Sequence, residues 1–147
     1  MEKTYPPNTT LIATVATDCG RLTAYGDIKK LIVMENLGGI IIGNYPSSSH
    51  IEEVVVKSTS KDIELWSSVG NLEVQEQQGE GVISVWNDVT NHIDIRNIGK
   101  SARLELMVCN ATMDLWVGEN CGLIRASCLG TAWRDYVNND CGGRFFN

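Results

Sequence analysis

Three kinds of residue in this chain could do chemistry, and each recurs at a regular spacing. Glu73, Asp94 and Asp114 each sit in the middle of an apolar triplet: Leu72-Glu73-Val74, Ile93-Asp94-Ile95 and Met113-Asp114-Leu115. Glu64 and Glu105 do the same in a second set of triplets. Stacked carboxylates of this kind hold Ca²⁺ or serve as an acid/base pair in polysaccharide cleavage. Trp66, Trp86 and Trp116 each follow an apolar residue (Leu65, Val85, Leu115). Alternation points them outward, where an indole stacks on a sugar ring or buries in a protein interface. His50 and His92 each precede an isoleucine, Ile51 and Ile93. Two units apart, they would lie about 10 Å from each other, too far for one metal ion. No GxSxG, HExxH, phosphate-loop or dinucleotide fingerprint is present.

The elements that must position these residues come from a repeat of about twenty residues, run six times. The first apolar stretches are 13–15, 31–33, 54–56, 72–74, 93–95 and 113–115. The second are 22–24, 40–42, 63–65, 83–85, 104–106 and 124–126. Outer positions are apolar and middle positions vary, which is the period of a strand with one buried face. β-Branched residues dominate, as a pleated surface prefers. Gly and Asn mark the corners between stretches, as in Asn36-Leu-Gly-Gly39 and Glu119-Asn-Cys-Gly122. Residues 44–50 are the one long insertion and are expected to bulge as a surface loop.

Two architectures fit this pattern. In a parallel β-solenoid, right-handed and β-helix-like, each unit is one coil and like positions stack. In a closed antiparallel fold, a β-trefoil or β-prism, the units are hairpins. Column identity favours the solenoid. The position after the second stretch reads Tyr25, Gly43, Trp66, Trp86, Met107, Ser127, so two tryptophans become stacked neighbours. A trefoil would repeat most strongly at about forty residues, and pairing the units improves nothing. The run Ile28-Lys-Lys-Leu31-Ile-Val33-Met-Glu-Asn36 resembles a leucine-rich repeat, but its second half is β-branched and strand-like. The two-strand unit is more similar to the β-helix of cyclase-associated-protein C-terminal domains and to bacterial adhesin solenoids. That resemblance is one of pattern and implies a solenoid fold, with no function or site residue carried over.

The chain of 147 residues is read as one domain: an N-terminal cap at 1–10, repeats at 11–129 and a C-terminal cap at 130–147. Tyr5-Pro6-Pro7 should not extend a ladder, because proline lacks the amide donor. In Trp133-Arg-Asp-Tyr136-Val137 the apolar spacing predicts one or two helical turns laid over the last coil. Phe145 and Phe146 either close the core there or dock into a partner. Among five cysteines, Cys109 and Cys128 fall at near-equivalent places on adjacent units, within disulfide reach. Cys19 and Cys121 share a corner position but would lie about 24 Å apart in a solenoid, so a bridge between them would indicate a closed fold. Zinc-ribbon spacing is absent, so no structural metal site is expected.

The net charge of −6 opposes nucleic acid and anionic membrane as partners. No apolar run is long enough to span a bilayer, and residues 1–10 lack a signal-peptide core, so the chain is expected to be soluble. It would be extracellular or in a virion if a signal was removed or another route is used, and cytoplasmic otherwise. The functional expectation is a non-enzymatic β-repeat module for binding or assembly, without cofactor. Its partner would be a protein or a second copy. Trp66, Trp86, Trp116, Phe145 and Phe146 are the candidate anchors. A carbohydrate-binding lectin and a small polysaccharide-active enzyme are the alternatives.

Overall fold

Alternating apolar triplets separated by Gly/Asn corners produce a stack of strand–corner–strand coils. The computed structural model describes residues 2–44, 49–107, 114–126 and 134–146. Among them, every strand pairing is parallel and in adjacent coils, which makes the fold a β-solenoid. Strands β1 (Glu2–Val15) and β2 (Leu22–Asn36) are long and bend across a corner. The later strands each occupy one of two faces. Face one carries β4 (His50–Thr59), β6 (Ser68–Gln77), β8 (Val89–Ile98), β10 (Asp114–Asn120) and β12 (Arg134–Val137). Face two carries β3 (Ile40–Ile42), β5 (Ile63–Leu65), β7 (Val82–Val85), β9 (Arg103–Leu106), β11 (Leu123–Ala126) and β13 (Arg144–Phe146). β2 joins the faces by pairing with β3 through Leu22–Ala24 and with β4 through Lys30–Asn36.

The core lies between the two faces. Leu31, Val54, Leu72, Ile93 and Leu115 form one inward column, and Ile40, Ile63, Ile83, Leu104 and Ile124 face it; all are at most 2% exposed. Each such side chain contributes roughly 1.5–3 kcal/mol by leaving water. The corner from face one to face two is polar inside. Asn36, Thr59, Gln77, Ile98 and Asn120 stack as one buried column. Asn36 Nδ2 donates to Thr59 Oγ1 (3.1 Å) and to the Asp62 carbonyl (3.1 Å), and its Oδ1 accepts from Gly39 N (2.9 Å). These amides satisfy the Gly39 N–H and add a second donor to the Asp62 carbonyl, which also accepts from Ile40 N (2.9 Å).

All six second stretches stack in the expected register. Two of the first stretches do not. Leu11-Ile12-Ala13, rather than 13–15, lies over Leu31-Ile32-Val33. Leu115-Trp116-Val117, rather than 113–115, lies over Ile93-Asp94-Ile95. A two-residue slip preserves the in/out alternation, so the apolar pattern cannot detect it. The corner decides it, because Asn120 must stand on Ile98 to fill the buried column.

Both ends differ from expectation. Residues 134–137 form strand β12 in place of a helical turn, with Asp114, Leu115, Trp116 and Val117 paired to Arg134, Asp135, Tyr136 and Val137. An isolated helix of one or two turns is marginal, whereas β10 offers a full row of ladder partners. Residues 134–146 therefore build another coil instead of a separate cap. At the other end, Glu2, Lys3, Thr4 and Tyr5 pair with Thr23, Ala24, Tyr25 and Gly26, so the ladder does extend past the prolines. Pro6 and Pro7 fall in the register shift between Tyr5 and Thr9, where no ladder donor is required.

A disulfide joins Cys121 to Cys141 across the corners of the last two described coils, 20 residues apart. Cys19 is exposed and free, so the first and last corners are not bridged, in keeping with an open stack. The expected Cys109–Cys128 pair lies outside the described residues. The final coil holds little apolar area: Val137 and Phe145 are only partly buried. Its attachment therefore leans on the bridge, and closing a loop of this size is worth about 3 kcal/mol. We expect Cys141→Ser to accelerate amide exchange in 134–146 by about a hundredfold, with the central coils unaffected. Unchanged exchange in this segment would show that packing alone holds it.

Candidate functional site

On β10, Leu115 and Val117 point inward and Trp116 between them points out. Trp116 is 45% exposed. Its indole lies forward along the strand over Gly118, where an added Cβ would come within 2.7 Å of Cη2. Glycine at 118 thus lets the ring lie flat against the sheet. Tyr136, the ladder partner of Trp116 on β12, stacks on it at 6.2 Å between centroids and 15° between planes. Tyr136 is 56% exposed. The two rings form a flat aromatic platform spanning two coils.

Carboxylates surround this platform. A shallow groove of about 280 Å³ is lined by Trp116 and Tyr136 together with His92, Asp94, Asp114 and Asp135. Asp94 precedes Trp116 in its column, and Asp114 stands beside His92 in the next column. Asp135 takes the position that Leu115 fills in the coil before, yet it is exposed because no described coil lies beyond it. The groove offers stacking faces and hydrogen-bond acceptors side by side, with no Lys or Arg among its described lining residues.

The acidic ladder is shorter than expected. Glu73 and Asp94 are neighbours, but Trp116 takes the next place and Asp114 moves to the column of Asn71 and His92. Glu64 and Glu105 are separated by Ser84. The cause is the two-residue slip in β10. The same slip moves Trp116 into the outward column of Glu73 and Asp94, one strand from the edge of face one.

The expected aromatic anchors divide among different surfaces. Trp66 and Trp86 stack on each other, 4.7 Å between centroids and 11° between planes, as neighbours in the column read from the sequence. They follow β5 and β7 at the corner returning to face one, and Trp86 is 40% exposed. Trp116 lies on face one itself, so the three indoles do not form one binding face. Phe145 pairs with Ile124, continues the inward column and packs against the core. Phe146 pairs with Arg125 on the outside, is 47% exposed, and has the Arg144 guanidinium 5.9 Å from its ring. His50 Nδ1 lies 2.6 Å from Ser68 Oγ at the exposed start of β4. Tyr136 went unnoticed in the sequence because residues 133–137 read as helical; the outward alternation of Tyr136 with Asp135 and Val137 was the available signal.

Compared with known proteins, the chain matches no family model, no curated protein and no solved structure. The class that the fold defines is the parallel β-solenoid, and the functional reading rests on the site alone.

Proposed function

We propose that this protein is a non-enzymatic binding module that holds a saccharide across the outer coils of face one. The observation that carries this reading is the exposed, parallel Trp116–Tyr136 pair within a carboxylate-lined groove. The apolar face of a sugar ring stacks on an aromatic ring, while its hydroxyls donate to carboxylates. Asp94 and Asp114, on the outward side with Trp116, are placed to accept from hydroxyls at the platform edge. A preformed surface of this kind costs little ordering on binding.

The edge strands of the described sheet carry features that favour lateral binding over strand addition. β12 has four residues and carries Asp135 at a core-directed position, and β13 has three. β1 is interrupted at Pro6–Pro7. Short edges, prolines and inward-pointing charges all discourage strand addition.

A glycan array with the wild type and three variants tests the proposal. Trp116→Ala and Tyr136→Ala should each weaken binding at least about tenfold, the loss of roughly 1.4 kcal/mol of stacking. Trp86→Ala should leave it intact, because that ring is on another surface. No binding to any glycan, or equal loss in Trp86→Ala, would overturn the assignment.

A further inference from the structure

Of all the side-chain clusters among the described residues, one brings together three metal-ligating groups: Glu119, Cys121 and Cys141. Cys121 lies in the corner after β10 and Cys141 in the corner before β13, one coil further on. Their sulfurs and a carboxylate oxygen of Glu119 all lie within 4.8 Å of one another. We propose that these residues form a site for a thiophilic divalent cation, zinc, which replaces the disulfide as the staple of the final coil when the bridge is reduced.

Two thiolates and a carboxylate belong to the donor set of zinc, and a water would complete the tetrahedron. The carboxylate is held in place. Its Oε1 lies 3.7 Å from Cys121 Sγ, and its Oε2 accepts from Asn97 Nδ2 at 3.3 Å. Outer contacts of this kind orient a ligand toward a metal.

Both corners are also tied down by bonds that do not involve sulfur. Cys121 N donates to the Ile98 carbonyl (2.9 Å), and Gly142 N donates to the Asn139 carbonyl (3.0 Å). Asn120 Nδ2 joins the two coils by donating to Asn139 Oδ1 (2.8 Å). The sulfurs therefore stay near each other after the bridge opens. Glu119 and Cys141 are exposed, so both a reductant and a cation have access. Cys19 lies in the corner of the first coil and, among the described residues, is a free thiol.

The redox step balances with a dithiol. It gives two electrons and two protons to the bridge and becomes a disulfide itself, while Cys121 and Cys141 become thiols. Zinc then displaces both thiol protons to solvent as the thiolates bind. The staple thus persists in either redox state, as a covalent bridge or as a chelate.

The test is zinc titration of the full chain, oxidised and after reduction with a phosphine, followed by cobalt as a spectroscopic substitute. The reduced protein should bind one zinc per chain and show a thiolate-to-cobalt charge-transfer band, and the oxidised protein should show neither. Glu119→Gln keeps both sulfurs and the bridge, so it reports ligation separately from folding. Losing an outer-sphere partner alone costs roughly 10–100-fold in affinity, so this variant should lose at least that. Cys19→Ser, and Cys109→Ser with Cys128→Ser, should retain the site. Absence of zinc binding by the reduced wild type, unchanged affinity in Glu119→Gln, or loss of binding in either of those serine controls would overturn the proposal.

Discussion

Asn36→Leu will destabilise the protein by about 2 kcal/mol, although leucine fits the size of the site. The buried corner column already holds an aliphatic residue, Ile98, at the equivalent place. Volume is therefore not the obstacle. In the 98–102 corner the backbone closes on itself, Ala102 N donating to the Gly99 carbonyl at 3.1 Å. The 36–39 corner has no such closure. Gly39 N depends on Asn36 Oδ1, and the Lys61 and Asp62 carbonyls accept from Asn36 Nδ2 at 3.2 and 3.1 Å. Leucine would leave Gly39 N without its partner, at about 1–3 kcal/mol, and would take one of two donors from the Asp62 carbonyl, which keeps Ile40 N at 2.9 Å. Relaxation and the Thr59 hydroxyl, which donates to the Lys61 carbonyl at 2.7 Å, recover part of that cost. Urea unfolding should show a lower midpoint with an unchanged slope. A loss below about 1 kcal/mol would mean that water satisfies the corner and the amide column is dispensable.

Gly122→Ala will cost about 3 kcal/mol, by a different route. No unusual backbone angle is involved. A Cβ at 122 would press on the Ala102 carbonyl oxygen and lie 2.5 Å from that of Gly99. Both are backbone atoms of the preceding coil and cannot rotate away. The corner must lift, weakening the bond from Leu123 N to the Ala102 carbonyl (3.2 Å) and the packing of Ile98 beneath. Overpacking of this kind costs typically 1–3 kcal/mol, and rigid neighbours put it at the upper end. The lift also displaces Cys121, so the bridge to Cys141 should become easier to reduce in Gly122→Ala than in the wild type. Equal stability and equal reducibility would show that the coils separate without strain.

Much of this architecture was legible in the residues. The second stretches, the Trp66–Trp86 stack and the parallel solenoid follow from alternation and column identity. The candidate site was less legible. Trp116 stood out as an outward aromatic, but its platform partner Tyr136 lay in a segment whose apolar spacing mimicked a helix. The slip of β10 also takes Asp114 out of the acidic ladder in which alternation alone would place it. Spacing within a strand constrains the face a residue takes and leaves register free in steps of two, and five residues are too few for spacing alone to separate a helical turn from a strand.

The sequence by itself determined the unit, because alternation and turn chemistry are local properties of consecutive residues. It determined which residues of each stretch face inward for the same reason. Only the tertiary structure decided which coils stand on which, and therefore what lies beside Trp116 and beside Cys121. Those neighbours come from segments about twenty residues away, and their pairing is selected by the fit of Asn120 on Ile98 and the close approach of Gly122 to the coil before. Such fits depend on the whole stack being assembled, so no window of the chain contains them.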